Sequence, residues 1–290
     1  MLSASLLFSI MGVCVKLASA YYSAGEIVLY RSLVGALFIF GLTRVRGGSL
    51  RTAVPGMHFW RSLTGVCSLV LWFYSIGKLP LATAITLNYM SSVWMALFLI
   101  GGAVMLGSAK VDPRLVATVL TGFVGVALVL QPTLEHDQFQ GALAGLTSGI
   151  GAAMAYLQVT ALGRVGEPEY RVVFYFSLGG IIAGSLLTLA SGAHGHTWLG
   201  AALLLATGVL ATVAQMMMTR AYAIGRALSN ASLQYLGIVF SFIFGVLIFD
   251  DPVTLVALAG MALIVGAGLA ATRLRQRNAP AAGESSSFES

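Results

Sequence analysis

Apolar residues run along this chain in long blocks, separated by short connections that carry most of the prolines and charges. Ten blocks stand out, at about 2–20, 26–43, 57–77, 80–100, 113–131, 141–163, 169–190, 197–219, 228–249 and 252–272. A helix rises ~1.5 Å per residue, so about 20 apolar residues cross a hydrocarbon core of ~30 Å. The pattern predicts an all-α membrane protein with ten transmembrane helices. Pro55, Pro80, Pro113, Pro132, Pro168 and Pro252 fall between blocks or at their starts, where a missing N–H costs little. No proline interrupts a block, so proline signals no broken helix.

Composition agrees with that solvent. Of 290 residues, 58% are hydrophobic and 9% charged, and the mean hydropathy is +0.90; soluble domains carry about 25% charged residues. The net charge of +6 reads as topology, not as a nucleic-acid surface. With both termini cytoplasmic, 13 of the 16 basic residues fall on or near the cytoplasmic side; Lys16, Arg31 and Lys78 fall toward the other, as the positive-inside rule expects. Met1 to Ala20 lacks a charged n-region, so no cleavable leader is expected. Cys14 and Cys67 lie in apolar blocks and read as buried free thiols. Residues 274–290 read as a disordered cytoplasmic tail.

The blocks divide into two sets. GEIVLYR (25–31) resembles GEPEYR (166–171), which is one residue shorter. FYSIGK (73–78) resembles AYAIGR (221–226), and LNY (87–89) resembles LQY (233–235). Asp112-Pro113 resembles Asp251-Pro252, followed by Gly122 and Gly260. These five matches keep one order, offset by 138 to 148 positions. They predict a five-helix repeat at 1–133 and a second at 141–273. An odd number of spans inverts the second copy, and inverted repeats hold a site near the bilayer midplane.

Polar side chains inside the blocks mark where that site lies. Asn88 sits ~12 Å from the outer end of its span and Gln234 ~9 Å from the inner end of its own. A carboxamide facing lipid loses several kcal/mol of hydrogen bonding. Asn88, Ser91, Ser92 and Met95 share one helix face; Gln234, Gly237 and Ser241 share another. Tyr74, Tyr89, Trp94, Tyr156, Gln158, Gln215 and Tyr235 complete a candidate substrate-binding set, with Trp72 and Tyr222 beside it and Met216 and Met217 packing the substrate's side chain. Asn and Gln also join helices, so each can line a cavity or act as glue. Tyr21, Tyr22, Trp60 and Trp198 read as interface anchors. Gly141, Gly145, Gly149 and Ala153 form a small-residue stripe for close packing, within the bundle or between copies.

No carboxylate sits at mid-span, so a carboxylate-based proton or sodium relay is not expected. Glu26 reads as an ion-pair partner of Lys16 or Arg31, and Glu167 with Arg171 as surface helix support. His194 and His196 do not make a metal site, and Asn230-Ala231-Ser232 starts a span too early to read as a glycosylation site. There is no P-loop, GxSxG or HExxH, so neither ATP-driven pumping nor an enzyme is predicted, and no cofactor or metal is implied.

The ten short spans in two halves, the basic 2–3 connection, GEIVLYRSLVGALF (25–38) and LPLATAITLNYMSSVW (79–94) together resemble the EamA-type branch of the drug/metabolite transporter superfamily, over about 1–275. The YddG-like amino-acid exporters are the nearest kind. That resemblance implies a basket of inverted repeats around a central cavity, in the inner membrane, working by alternating access. It implies export of amino acids or related metabolites, with Tyr74, Asn88, Tyr156, Gln215 and Gln234 on the lining spans. A cavity of neutral groups predicts zwitterions and broad selectivity. A larger metabolite, such as a nucleotide derivative or S-adenosylmethionine, or a drug, is the alternative; Arg61 or Arg220 turned inward would mark it. A non-transporting scaffold is the second. The expected partners are a small molecule and the lipid bilayer; oligomeric state stays open.

Overall fold

The computed structural model describes residues 1–105, 136–224, 233–251 and 253–278, with positions 114, 117, 121, 122, 124, 125, 128 and 230 besides. Most of the predicted block at 113–131 lies outside the described residues, as do Lys110, Asp112, Pro113, Pro132, Glu135, Ala231, Ser232, Arg226, Pro252 and the tail from 279.

Among the described residues the chain is all helical, with no strand. The helices are α1 (Leu2–Ala18), α2 (Ala24–Arg46), α3 (Pro55–Lys78), α4 (Leu81–Tyr89), α5 (Ser91–Met105), α6 (His136–Arg164), α7 (Glu169–Ser191), α8 (Trp198–Ile224), α9 (Leu236–Phe249) and α10 (Leu255–Asn278). Four segments, Ala24–Arg46, Gln138–Arg164, Glu169–Ser191 and Trp198–Ile224, are long and apolar enough to cross a bilayer. Local chemistry fixes the ends. At α2, Ser23 Oγ accepts the Glu26 N–H and the Glu26 carboxylate accepts the Ser23 N–H, a complete capping box. Gly47 closes that helix at φ 70°, in the left-handed region. Pro55 opens α3, where its missing N–H has no partner to lose.

The polarity is inside out. Leu37, Ile182, Leu186, Leu247 and Leu255 stand exposed on outer faces, whereas Ser5, Ser9, Ser75, Thr86, Asn88, Ser148, Thr207 and Gln234 are buried. A water-soluble bundle would do the reverse. Thr86, Thr160, Thr188 and Thr212 donate to the carbonyl four residues back, which satisfies hydroxyls without water.

The predicted fourth block, 80–100, is two helices. The Met90 N–H is shared between the carbonyls of Thr86 at 3.2 Å and Leu87 at 3.3 Å, and the Val93 N–H bonds Met90 at 2.9 Å. The same tightening recurs at the predicted ninth block, where the Ile238 N–H bonds Tyr235 at 3.0 Å just before α9 proceeds. The first interruption follows Asn88-Tyr89 directly, the second falls on Tyr235 itself, and neither involves a proline.

The most extensive packing is α3 on α6 and α2 on α7, then α1 on α8. Glycine permits the closest approaches. A Cβ at Gly184 would lie 2.6 Å from the Leu29 backbone nitrogen across the α2–α7 crossing. The stripe on α6 packs within the bundle: Gly141 faces Lys78 and Leu79, Gly145 faces Ser75 and Leu87, and Gly149 faces the Leu87 and Asn88 carbonyls. Cys14 is half-buried, while Cys67 faces outward on α3 instead of into the core; both are free.

Candidate functional site

The helices enclose a central cavity of about 50 Å³, room for a few water molecules. Its wall is drawn from α1 (Phe8, Met11), α2 (Arg31), α3 (Arg61, Gly65, Ser68, Leu69, Trp72), α4 (Asn88, Tyr89), α6 (Ala152, Ala155, Tyr156), α7 (Phe176) and α8 (Gln215, Met218), with Gln234 from the turn before α9.

The two carboxamides meet in this wall. Asn88 Nδ2 donates to Ser148 Oγ at 2.9 Å, and Ser148 in turn donates to the Gly145 carbonyl at 2.6 Å. Asn88 is therefore both helix glue and cavity lining. Gln234 Nε2 has only Met218 Sδ at 3.9 Å. Its buried Oε1 has no hydrogen-bond partner. Tyr156 stacks on the fully buried Tyr222, ring centroids 5.1 Å apart.

The cavity also holds two cations. Arg31 is 4% exposed and Arg61 2% exposed. Their Cζ atoms lie 5.1 Å and 4.4 Å from the centroid of the same ring, Phe176. Arg31 Nε, Arg61 Nε and Arg61 Nη1 have no hydrogen-bond partner, and neither guanidinium pairs with a carboxylate among the described residues. Burying an ion costs several kcal/mol, and a desolvated cation–π contact returns about 2 kcal/mol. Both groups are held at a net cost. The expectation of a neutral lining is thus corrected. Of the two arginines whose inward turn would mark a larger metabolite, Arg61 is inside and Arg220 exposed.

Comparison with known proteins places this bundle. The EamA-like transporter family is matched over residues 1–131. The chain is 33% identical over 274 residues to the pseudopaline exporter CntI of Pseudomonas aeruginosa, covering 94% of both chains. The chain belongs to the EamA family of the drug/metabolite transporter superfamily. It is also 28% identical over 252 residues to a riboflavin transporter of Rhizobium johnstonii, covering 85% of this chain and 82% of that one. A solved crystal structure superposes with a TM-score of 0.67 at 20% identity, over 96% of both chains, a likeness of fold.

As an EamA transporter the chain is a multi-pass membrane protein whose cargo is a small molecule. Of the twelve polar and aromatic residues that the sequence singles out, Asn88, Tyr89, Tyr156, Gln215 and Gln234 line the cavity. The other seven are not in its wall. Tyr74 donates to Gln140 at 3.3 Å. Gln158 accepts from Thr64 at 2.8 Å. Ser241 donates to Ser9 at 3.1 Å and so joins α9 to α1. Ser91, Ser92 and Tyr235 are buried, and Trp94 is half-buried. Met218 faces the cavity, not Met216 or Met217.

Sequence reasoning left Arg31 and Phe176 out of the site and held Arg61 only as the mark of the alternative cargo. One signal for Arg31 was present. Residues i and i+4 share a helix face, and i+5 turns away from it. Glu167, just before the N-cap of α7, pairs with Arg171 four residues on at 3.0 Å. In the longer GEIVLYR, Glu26 and Arg31 are five apart, so Arg31 cannot reach its glutamate and turns into the bundle.

Each glutamate anchors a connection instead. Glu26 accepts from the His194 N–H at 2.8 Å and meets His194 Nδ1 at 2.7 Å, at the bundle end where His196 bonds Tyr22 and Tyr30. Lys16 pairs with Asp251 at 2.9 Å, not with Glu26. Tyr22 is buried by this cluster, while Tyr21, Trp60 and Trp198 are exposed. At the opposite end Glu167 is buried, not superficial. It accepts from Thr52 at 2.9 Å and Arg171 at 3.0 Å, and meets His58 at 3.1 Å.

Burial alone would raise the Glu167 pKa, but the hydrogen bonds of Thr52, His58 and Arg171, with the Arg171 charge, outweigh it and leave it lowered. A lowered native pKa stabilises the fold above the ordinary carboxylate range and loses that stabilisation as pH falls through the native value. Melting temperature in detergent should therefore drop as pH falls below the ordinary carboxylate range, and Glu167→Gln should flatten the drop. An equally steep acid drop in Glu167→Gln would assign it to other groups.

Proposed function

We propose that the protein is an inner-membrane exporter of amino acids or of small metabolites built from them. In this reading ten spans form two inverted halves, both termini are cytoplasmic, and the cavity opens alternately to either side without ATP. The observation that carries it is the meeting of Asn88 and Gln234 in one buried cavity, each beside a matching break in its helix. A break there frees backbone to shift and gives the cavity a way to enlarge. The pairing of helices supports the inverted halves. Exchanging α1 with α6, α3 with α8 and α4 with α9 turns α3–α6 into α8–α1, and α4–α6 into α9–α1, all of which pack together. Glu26 and Glu167 hold opposite ends in equivalent ways.

The similarity to an exporter and to riboflavin transporters supports carriage of a polar organic molecule. The inward Arg61 favours a second reading, a metabolite larger than a free amino acid. The scaffold alternative loses its motive, because the α6 glycine stripe is spent on α3 and α4 of the same chain.

Flux of labelled amino acids through proteoliposomes tests the reading. A hydrogen bond to a charged group is worth about 1.5–3 kcal/mol. Asn88→Ala and Gln234→Ala should each cut flux by roughly tenfold or more at equal reconstitution. Undiminished flux in both variants would remove these residues from the site. No flux of any amino acid or related metabolite by the wild type would sink the exporter.

A further inference from the structure

A zwitterionic amino acid asks its site for an acid as well as a base. This cavity offers two buried guanidinium groups and no carboxylate from any described residue that lines it. The walls facing the pair are apolar or neutral: Met11 on α1, Asn88 on α4, Tyr156 on α6, Phe176 on α7, Gln215 on α8. We infer that the cargo is an organic anion with at least two carboxylates, which Arg31 and Arg61 bind from α2 and α3. This rests on the exporter reading and narrows its substrate class.

The arginines are seated, not stranded. Both lie over the Phe176 ring, which fixes their positions without using their N–H groups. Gly65, one turn along α3 from Arg61, leaves the space that Nη1 occupies; a methyl there would collide with it. Nε of Arg31, and Nε and Nη1 of Arg61, are left with no acceptor. A guanidinium fork matches a carboxylate with two parallel hydrogen bonds. Two forks on two helices suit two separate carboxylates better than one compact anion. Asn88, Gln215 and Gln234 are in place to bond the remaining polar atoms, and Trp72 and Tyr89 to cover the carbon skeleton.

Thermal melting of the purified full-length protein in low-salt detergent buffer tests this, with citrate, L-glutamate, L-glutamine and inorganic phosphate as probes. Citrate and glutamate should raise the wild-type melting temperature, and glutamine should not. Arg61→Gln should abolish the citrate shift. The unliganded Arg61→Gln protein should melt at or above the wild type, because an unpaired buried cation has been removed. A merely structural arginine would instead lower it. Arg61→Lys keeps charge without the fork and should weaken citrate binding at least tenfold. If Arg61→Gln does not fold, Gly65→Ala and Arg31→Gln ask the same question, the first by displacing the guanidinium with its charge intact; both should lose the citrate response.

Glutamine matching glutamate would overturn the inference, as would a citrate shift that survives Arg61→Gln. Phosphate matching citrate would overturn the two-carboxylate assignment in favour of a single compact anion. Wild-type flux of neutral amino acids with no anion response leaves the exporter standing and removes this inference alone.

Discussion

The Gly149→Val protein is expected to lose its folded, monodisperse population in detergent. Gly149 lies where α6 crosses the Asn88 carbonyl, and a Cβ there would stand 2.9 Å from the Leu87 oxygen and 3.2 Å from the Asn88 oxygen. Those are backbone atoms beside the Met90 interruption, so no side chain can swing aside. Even Gly149→Ala should cost about 1–3 kcal/mol by overpacking, and valine adds two carbons in the same direction. Gly41 on α2 supplies the contrast, since nothing lies within 4 Å of its added Cβ. Gly41→Ala should be neutral or stabilise by up to about 1 kcal/mol through helix propensity. Size-exclusion profiles and melting temperatures of the three variants decide the matter. A Gly149→Val protein as stable as wild type would mean that α4 and α6 do not meet as described.

Glu167→Ala should be the most damaging change outside the helix crossings. One carboxylate there receives Thr52, His58 and Arg171, and Arg171 goes on to bond the Ser49 carbonyl. The 47–54 connection is thereby tied to the start of α7. Removing the acid leaves His58 buried and Arg171 without its counter-charge, and breaking a buried pair from one side costs about 3–5 kcal/mol. Glu167→Gln keeps the shape and can still accept from Thr52, so its loss should be roughly half as large. Melting of both variants at neutral pH measures the difference. Equal losses would show that charge contributes nothing at this hub.

The elements were plain in the sequence because lipid writes a coarse pattern. Blocks predicted at 26–43, 57–77 and 169–190 emerge as Ala24–Arg46, Pro55–Lys78 and Glu169–Ser191. Asn88 and Gln234 were legible as interior residues, since carboxamides cannot face hydrocarbon. What hydropathy concealed is direction. An arginine within a block averages away among its neighbours, so hydropathy left open whether Arg61, the seventh residue of α3, turns inward. Met90 left no sign either, because its turn arises from shared backbone hydrogen bonds that any residue can make. Tyr22 looked like an interface anchor until His196 covered it.

The mismatch in length between GEIVLYR and GEPEYR reaches past helix geometry. Glutamate and arginine are present in both segments, and a difference of one residue, three nucleotides, accompanies the exchange of a buried ion pair at the bundle end for an interior positive charge. In the proposed two-half arrangement, the halves differ in electrical character without a new basic residue. Among relatives, the count of residues between that glutamate and that arginine would then report the sign of what passes through.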